Sequence, residues 1–263
     1  MDTVVSTLVV LGGTGLLFGF LLHFASQKLK PKEDPLLEAL KDALPGANCG
    51  GCGVAGCGQY AEALFAKEAE VTACPVGGDE LVKKLAALVG TEASRLVKKV
   101  AYVKCIGGQS KAKSNYTYIG MRNCFAMAKL AGGSAKTCVH GCMGGGSCVT
   151  SCVFDAIDIA DGIAVVNKEK CVSCSACVSA CPKNIIEMVE YDKRAHVGCN
   201  STSSSRTVRD CCSVGCIGCR LCEKKCPHDA VMMEGNLASI RHDACNGCFM
   251  CVDACPRKCI EMH

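Results

Sequence analysis

The residues of this chain with the most evident chemistry are its cysteines, 26 among 263 residues. Two runs share one spacing: Cys216-x2-Cys219-x2-Cys222-x3-Cys226-Pro227, then Cys245-x2-Cys248-x2-Cys251-x3-Cys255-Pro256. Three thiolates so close in a loop can cover three irons of a [4Fe–4S] cube. The cysteine before proline leaves the loop and ligates the neighbouring cluster. The expected sets are Cys216, Cys219, Cys222 and Cys255 (cluster 4), and Cys226, Cys245, Cys248 and Cys251 (cluster 5).

The pattern recurs upstream, so the chain carries an internal repeat. Subtracting 74 from each position gives Cys142, Gly145, Cys148, Cys152, Cys171, Cys174, Cys177 and Cys181-Pro182, so seven of eight cysteines return. Phe154-Asp155-Ala156-Ile157 echoes His228-Asp229-Ala230-Val231 at the same offset. Cys152, Cys171, Cys174 and Cys177 form a complete set (cluster 3), with Val153 in place of proline after Cys152. The other set holds Cys142, Cys148 and Cys181, with Gly145 where a ligand belongs. Cys138, four residues before Cys142, is the expected substitute (cluster 2). A three-ligand cluster, [3Fe–4S] or labile [4Fe–4S], is the alternative.

A third arrangement lies further upstream: Cys49-x2-Cys52-x4-Cys57 in a glycine-rich loop, then Cys74-Pro75 (cluster 1). Glycines let the backbone curl around a metal centre and turn N–H groups toward sulfur. Zinc is the structural rival, because it also takes four cysteines. Gly51-x-Gly53-x-x-Gly56 spells a dinucleotide fingerprint, but it follows no strand and is interleaved with cysteines. Cys105, Cys124, Cys199, Cys211, Cys212 and Cys259 remain outside the sets. They are either packed thiols or the ligands of one further cluster. Val103-Lys104-Cys105 and Val197-Gly198-Cys199 look equivalent, and Cys212 matches Cys138 at the offset of the repeat.

These loops need elements to position them. Pro35–Ala43 predicts a short amphipathic helix that stops at Pro45-Gly46. Helices are expected over 58–73, carrying Cys74 back to its site, and over 79–88. Short apolar stretches around Asp161-Gly162 predict a small hairpin. Residues 4–24 are an apolar run of 21 with no Asp, Glu, Lys or Arg, long enough to cross a ~30 Å hydrocarbon core as a helix. A cleaved signal is the rival reading, but basic residues precede a signal and here Lys28, Lys30 and Lys32 follow the run. The positive-inside bias then places the N-terminus outside and the cluster domains in the cytoplasm, where thiols stay reduced. Gly15 and Gly19 form a GxxxG step on which another helix can pack.

The expected fold class is thus α+β: one transmembrane helix (1–30), a small helical four-cysteine iron–sulfur domain (33–92), then two tandem bacterial-type two-cluster ferredoxin units (100–190 and 197–263). The expected cofactors are about five [4Fe–4S] clusters, with cysteines left for one more. The formal charge of +4 turns to about −6 with twenty thiolates on five clusters, so no nucleic-acid partner is inferred. There is no P-loop and no nucleophile elbow, and the six histidines (His23, His140, His196, His228, His242 and His263) are scattered. Arg220, Lys224, Lys225, Arg257 and Lys258 form a basic face that is either solvated or docks an acidic redox partner.

The order of these segments resembles the B subunit of the Rnf complex. The motifs that carry the likeness are CGGCGVAGC, GCMGGGSCVTSC, CVSCSACVSACP, GCIGCRLCEKKCP and CNGCFMCVDACP. The resemblance implies a component of an ion-translocating ferredoxin:NAD oxidoreductase in the bacterial inner membrane. Soluble ferredoxin would be the electron donor, the membrane and the other complex subunits the partners, and no complete active site would lie on this chain alone. Two alternatives stand beside it. One is a polyferredoxin-type subunit of another membrane dehydrogenase or hydrogenase, and the other is a structural zinc protein.

Overall fold

The computed structural model describes residues 2–28, 34–93, 97–130, 132–192 and 195–262. Met1, Lys30, Lys32 and His263 lie outside the described residues. The apolar N-terminal run forms one helix, α1 (Asp2–Lys28). Among the described residues, no helix is long and apolar enough to cross a membrane. On α1 the described side chains are Ser6 and residues 11–26. They stand open, with Leu16 at 78% and Phe20 at 72% exposure.

The four-cysteine segment folds around α2 (Pro35–Ala43), α3 (Cys57–Phe65) and α4 (Gly78–Val89). Asp34 caps α2 by accepting from the Leu36 N–H, and Pro35 opens the helix where its missing N–H costs nothing. Leu40, Tyr60, Leu64 and Leu85 are fully buried between the helices. The helix expected over 58–73 ends eight residues early. Lys67 takes a left-handed φ of 60°, and the chain returns to Cys74 through turns. Tyr60 fixes that return, because its hydroxyl donates to the Glu70 carbonyl at 2.6 Å.

The two cysteine-rich units are each closed by a pair of antiparallel strands far apart in sequence. In unit one, β1 (Lys99–Val103) pairs with β4 (Ile186–Glu190). In unit two, β5 (Ala195–Val197) pairs with β8 (Ile260–Met262). A hairpin lies inside each unit, β2 (Ile157–Ala160) with β3 (Ile163–Val166) and β6 (Val231–Glu234) with β7 (Leu237–Ile240). Asp161 and Gly162 turn the first hairpin with φ of 49° and 69°, the pair of positive angles that matches strand twist. Each cysteine run passes into a helix of one turn: α6 (Ser147–Thr150), α7 (Ala176–Ser179), α9 (Leu221–Lys225) and α10 (Met250–Ala254). Unit one holds an extra segment with α5 (Cys124–Ala128), and α8 (Ser205–Cys211) precedes the first run of unit two.

The units meet through backbone as well as side chains. Lys113 donates its N–H to the Cys211 carbonyl and Ser213 to the Lys111 carbonyl, both at 2.8 Å. Ile106 donates to the Gly198 carbonyl at 3.0 Å. A Cβ on Gly198 would lie 2.6 Å from the Ile106 side chain, so only glycine permits this approach. The ring of Tyr102 packs on His196 at 4.6 Å, and His196 on His242 at 4.7 Å.

Candidate metal centres

Three of the expected cysteine sets each line a single cavity. Cys152, Cys171, Cys174 and Cys177 do so in unit one. Cys216, Cys219, Cys222 and Cys255 line one in unit two, and Cys226, Cys245, Cys248 and Cys251 another. The loops offer N–H groups to the sulfurs. The Ala156 N–H points at Cys152 Sγ at 3.4 Å, and the Ala230 N–H at Cys226 Sγ at 3.3 Å. These two contacts are one bond, made at equivalent places in the repeat. Ala101 on β1 also donates to Cys171 Sγ, at 3.5 Å. Left-handed backbone at Ser175, Arg220 and Phe249 (φ 60–62°) turns each run into its short helix.

Burial raises the Cys177 thiol to about 11, and Cys171, Cys174 and Cys152 add repulsion. Cys222 is likewise pushed up to about 11, first by burial and further by Cys216, Cys255 and Cys219. Cys177 and Cys222 thus hold their protons until a metal displaces them. Among the described residues, no three His, Cys, Asp or Glu side chains form a site for a single ion. A cube offers each of four thiolates an iron of its own, and the four-cysteine cavities fit that requirement.

In the four-cysteine domain, Cys52, Cys57 and Cys74 pack on one apolar cluster. Burial raises the Cys74 thiol; the Gly77 and Val76 N–H groups oppose this, and Cys52 and Cys49 add to it. The loop of this domain sits against unit one, where a Cβ on Gly51 would lie 3.1 Å from Cys174 Cα.

The remaining set differs from the expectation. Cys148 is pushed up to about 12, by burial first and then by Cys142, Cys124 and Cys181. A Cβ on Gly145 would lie 3.0 Å from Cys124 Sγ and 2.9 Å from its backbone nitrogen. Cys124 therefore occupies the space beside Gly145 where the repeat lacks a cysteine. Helix α5 holds it there: Asn123 caps the helix, and Ser147 Oγ accepts the Cys124 N–H at 2.9 Å. Cys138 is placed elsewhere. Its Sγ lies 3.7 Å from a Cβ on Gly141, beside Cys105, and it packs with Cys211 and Cys212.

Cys259 also lines the cavity of Cys216 and Cys255. Its Sγ lies 3.6 Å from Cys255 Sγ. The Cys259 thiol keeps its proton, because hydrogen bonds to Cys216 and Cys255 raise it. Those bonds hold Cys216 down at about 6 and Cys255 at about 5. The equivalent position in unit one is Ile185. A thiol donor to ligating sulfur favours the more negative, reduced cluster. Cys259→Ile is expected to lower one midpoint potential by about 40 mV, from about 1 kcal/mol for the bond and the one-electron conversion. A redox titration read by electron paramagnetic resonance checks this; unchanged potentials would refute it.

The basic face is partly committed to structure. Arg257 donates to the Cys212 carbonyl, and Arg220 lies 3.7 Å from Glu223. His196, one of the scattered histidines, is 2% exposed.

Fold and cavities together define a multi-cluster ferredoxin-type iron–sulfur protein. An Fe-S cluster family model matches residues 44–76, and 4Fe-4S dicluster domain models match 170–230 and 215–260. The chain is 41% identical over 262 residues to the B subunit of the ion-translocating oxidoreductase complex of Methanosarcina acetivorans, covering 99% of each chain. It is 41% identical to the B subunit of the Na(+)-translocating ferredoxin:NAD(+) oxidoreductase complex of Acetobacterium woodii, over 95% of this chain and 75% of that one. With the proton-translocating counterpart of Clostridium ljungdahlii it shares 38% identity, over 93% and 87%. The chain belongs to this family, the B subunits of ion-translocating oxidoreductase complexes.

Proposed function

We propose that this chain is the electron-transfer subunit of an ion-translocating ferredoxin:NAD oxidoreductase complex, and that it receives electrons from reduced soluble ferredoxin. The observation that carries the reading is the convergence of separate four-cysteine sets on separate cavities. We assign Cys49, Cys52, Cys57 and Cys74 to one [4Fe–4S] cluster, and Cys142, Cys148, Cys181 and Cys124 to the second. The sets Cys152/Cys171/Cys174/Cys177, Cys216/Cys219/Cys222/Cys255 and Cys226/Cys245/Cys248/Cys251 hold three more. Such clusters supply one-electron chemistry at potentials from roughly −700 to +450 mV. The chain's own part is to hold the thiols, aim N–H groups at the sulfurs and cover them with apolar side chains. Ile157 and Ile186, 4% and 5% exposed, cover them in unit one; Val231 and Ile260, at 4% and 2%, do so in unit two.

Helix α1 serves in this reading as a single-pass anchor in the bacterial inner membrane, with its N-terminus outside and the clusters cytoplasmic. Its support is the charge-free apolar run and the open apolar side chains of residues 11–26. The nicotinamide site belongs to partner subunits, which complete the enzyme.

Anaerobic purification with iron, acid-labile sulfide and zinc analysis tests the reading, together with bleaching of the visible absorption by reduced ferredoxin. At least about 20 irons and as many sulfides, four per cluster for five or more clusters, bleached on addition of the donor, are expected. Absent sulfide with stoichiometric zinc, or clusters that ferredoxin does not reduce, would overturn it. Deletion of residues 1–28 should move the chain from the membrane fraction to the soluble one.

A further inference from the structure

Five cysteines belong to none of these sets and have no ligand to support: Cys105, Cys138, Cys199, Cys211 and Cys212. They come from both units and meet at the seam between them. Cys105, Cys138, Cys199 and Cys212 line one cavity, together with Lys136, His140 and several glycines. Cys211 does not line it; its thiol turns back to the Val208 carbonyl at 3.6 Å. We propose that Cys105, Cys138, Cys199 and Cys212 bind a sixth [4Fe–4S] cluster, shared between the two units.

The internal repeat is the first argument. Cys105 follows β1 and Cys199 follows β5, the opening strand of each unit. The Cys142 N–H is directed at Cys105 Sγ, and the Cys216 N–H meets Cys199 Sγ at 3.3 Å. Cys142 and Cys216 are themselves equivalent in the repeat. Cys138 and Cys212 each stand four residues before that cysteine. Each unit thus offers two thiols from matching positions, and the pairs face one another. Leftover core thiols carry no such requirement. The arrangement instead repeats the four-thiolate composition of the other sites, built by symmetry rather than by one run.

The walls supply the second argument. A Cβ on Gly107 would lie 3.0 Å from Cys212 Sγ and 4.0 Å from Cys105 Sγ, and one on Gly141 3.4 Å from Cys105 Sγ and 3.7 Å from Cys138 Sγ. Glycine at both positions leaves the sulfurs clear of side chains. Lys136 brings a positive charge to the wall at only 5% exposure, and its Nζ donates to the Gly107 and Gly162 carbonyls at 2.8 and 3.1 Å. A buried ammonium is costly unless an anion lies near it, and four thiolates on a cube of +2 core charge supply one. Asp161, open to solvent, contributes from outside.

The proposal shares with the functional reading only the kind of group bound. Iron, sulfide and zinc are measured per chain on the anaerobically reconstituted full-length protein, for the parent, Cys105→Ala, Cys212→Ala and the double variant. The parent is expected to carry about 24 irons, and each single variant about 20, one four-iron cluster fewer. The double variant should lose no more than either single, because both thiols serve one cluster. Mössbauer spectra should show the lost irons to be of the [4Fe–4S] kind, and circular dichroism of the singles should match the parent. A parent at about 20 irons with unchanged variants sinks the sixth site and leaves the five sets standing. Zinc at the seam, or a double variant that loses twice as much as a single, also overturns it.

Discussion

Cys124→Ala is expected to remove one cluster, about four irons per chain, and Gly145→Cys in the same chain to restore part of the loss. Cys124 reaches Cys148 and Cys142 from a segment that the second unit does not have. Cys105 and Cys142 are 37 positions apart, whereas Cys199 and Cys216 are 17. The additional residues carry α5 and its thiol. A cysteine at position 145 would recreate the spacing of Cys216, Cys219 and Cys222. In the parent, its Cβ would lie 2.7 Å from Met127 Sδ and 2.9 Å from the Cys124 nitrogen. Gly145→Cys alone is therefore expected to be destabilising. With Cys124 truncated the thiol space is free, though the α5 backbone must still retreat, so the recovery is partial. Iron and sulfide per chain read all three variants. If Cys124→Ala kept the parent's iron, the assignment of Cys124 would be wrong.

Removal of iron is expected to unfold the chain unevenly. The buried core of unit two is mostly cysteine: Cys199, Cys216, Cys222, Cys251, Cys255 and Cys259 share it with Ala195, Val197, Val231, Ala238 and Ile260. In the buried core of the four-cysteine domain Cys74 is the sole cysteine, among larger side chains such as Leu40, Tyr60, Leu64 and Leu85. A unit whose interior is so rich in cysteine has little apolar surface to bury once the metal leaves, and small domains of that kind depend on their metal. Anaerobic chelation should therefore collapse hydrogen-exchange protection in residues 195–262. Helices α2 to α4, packed through Leu40, Leu64 and Leu85, should retain theirs. Exchange read by mass spectrometry, with circular dichroism for the surviving helix, checks this. Protection at β5 and β8 that survives iron loss would refute it.

What the sequence discloses depends on whether the relevant residues are neighbours along it. The cysteines of unit two could be grouped into sets from spacing alone, because three lie in one loop and the fourth is marked by proline. The hairpin at Asp161-Gly162 and α2 were equally local. Cys124 was not, since 21 positions separate it from Gly145 and no short motif links them. The usable signal was the unequal gap between the units, which points to an insertion holding one unassigned cysteine. Proximity along the chain instead favoured Cys138, which the fold turns toward Cys105 and the other unit. The same limit applied to α3. Its apolar periodicity runs on past Phe65, but the left-handed backbone at Lys67 ends the helix for the sake of the Cys74 return. Arg257 read as a solvated or docking charge, because its partner, the Cys212 carbonyl, lies far back along the chain.

The closing strands of unit one set a timetable for synthesis. Lys99 pairs with Glu190, so this unit cannot shut until the ribosome has delivered some ninety further residues, about ten seconds at roughly 5–20 residues per second. During that interval Cys124, Cys142 and Cys148 have already been made while Cys181 has not. A scaffold protein that delivers preassembled clusters must either wait or park its cargo on three thiols, and oxygen reaching the nascent chain in that window would find them bare. Unit two follows at once and shuts only when β8 emerges against β5. Maturation of the seam is therefore among the last events in the birth of the molecule.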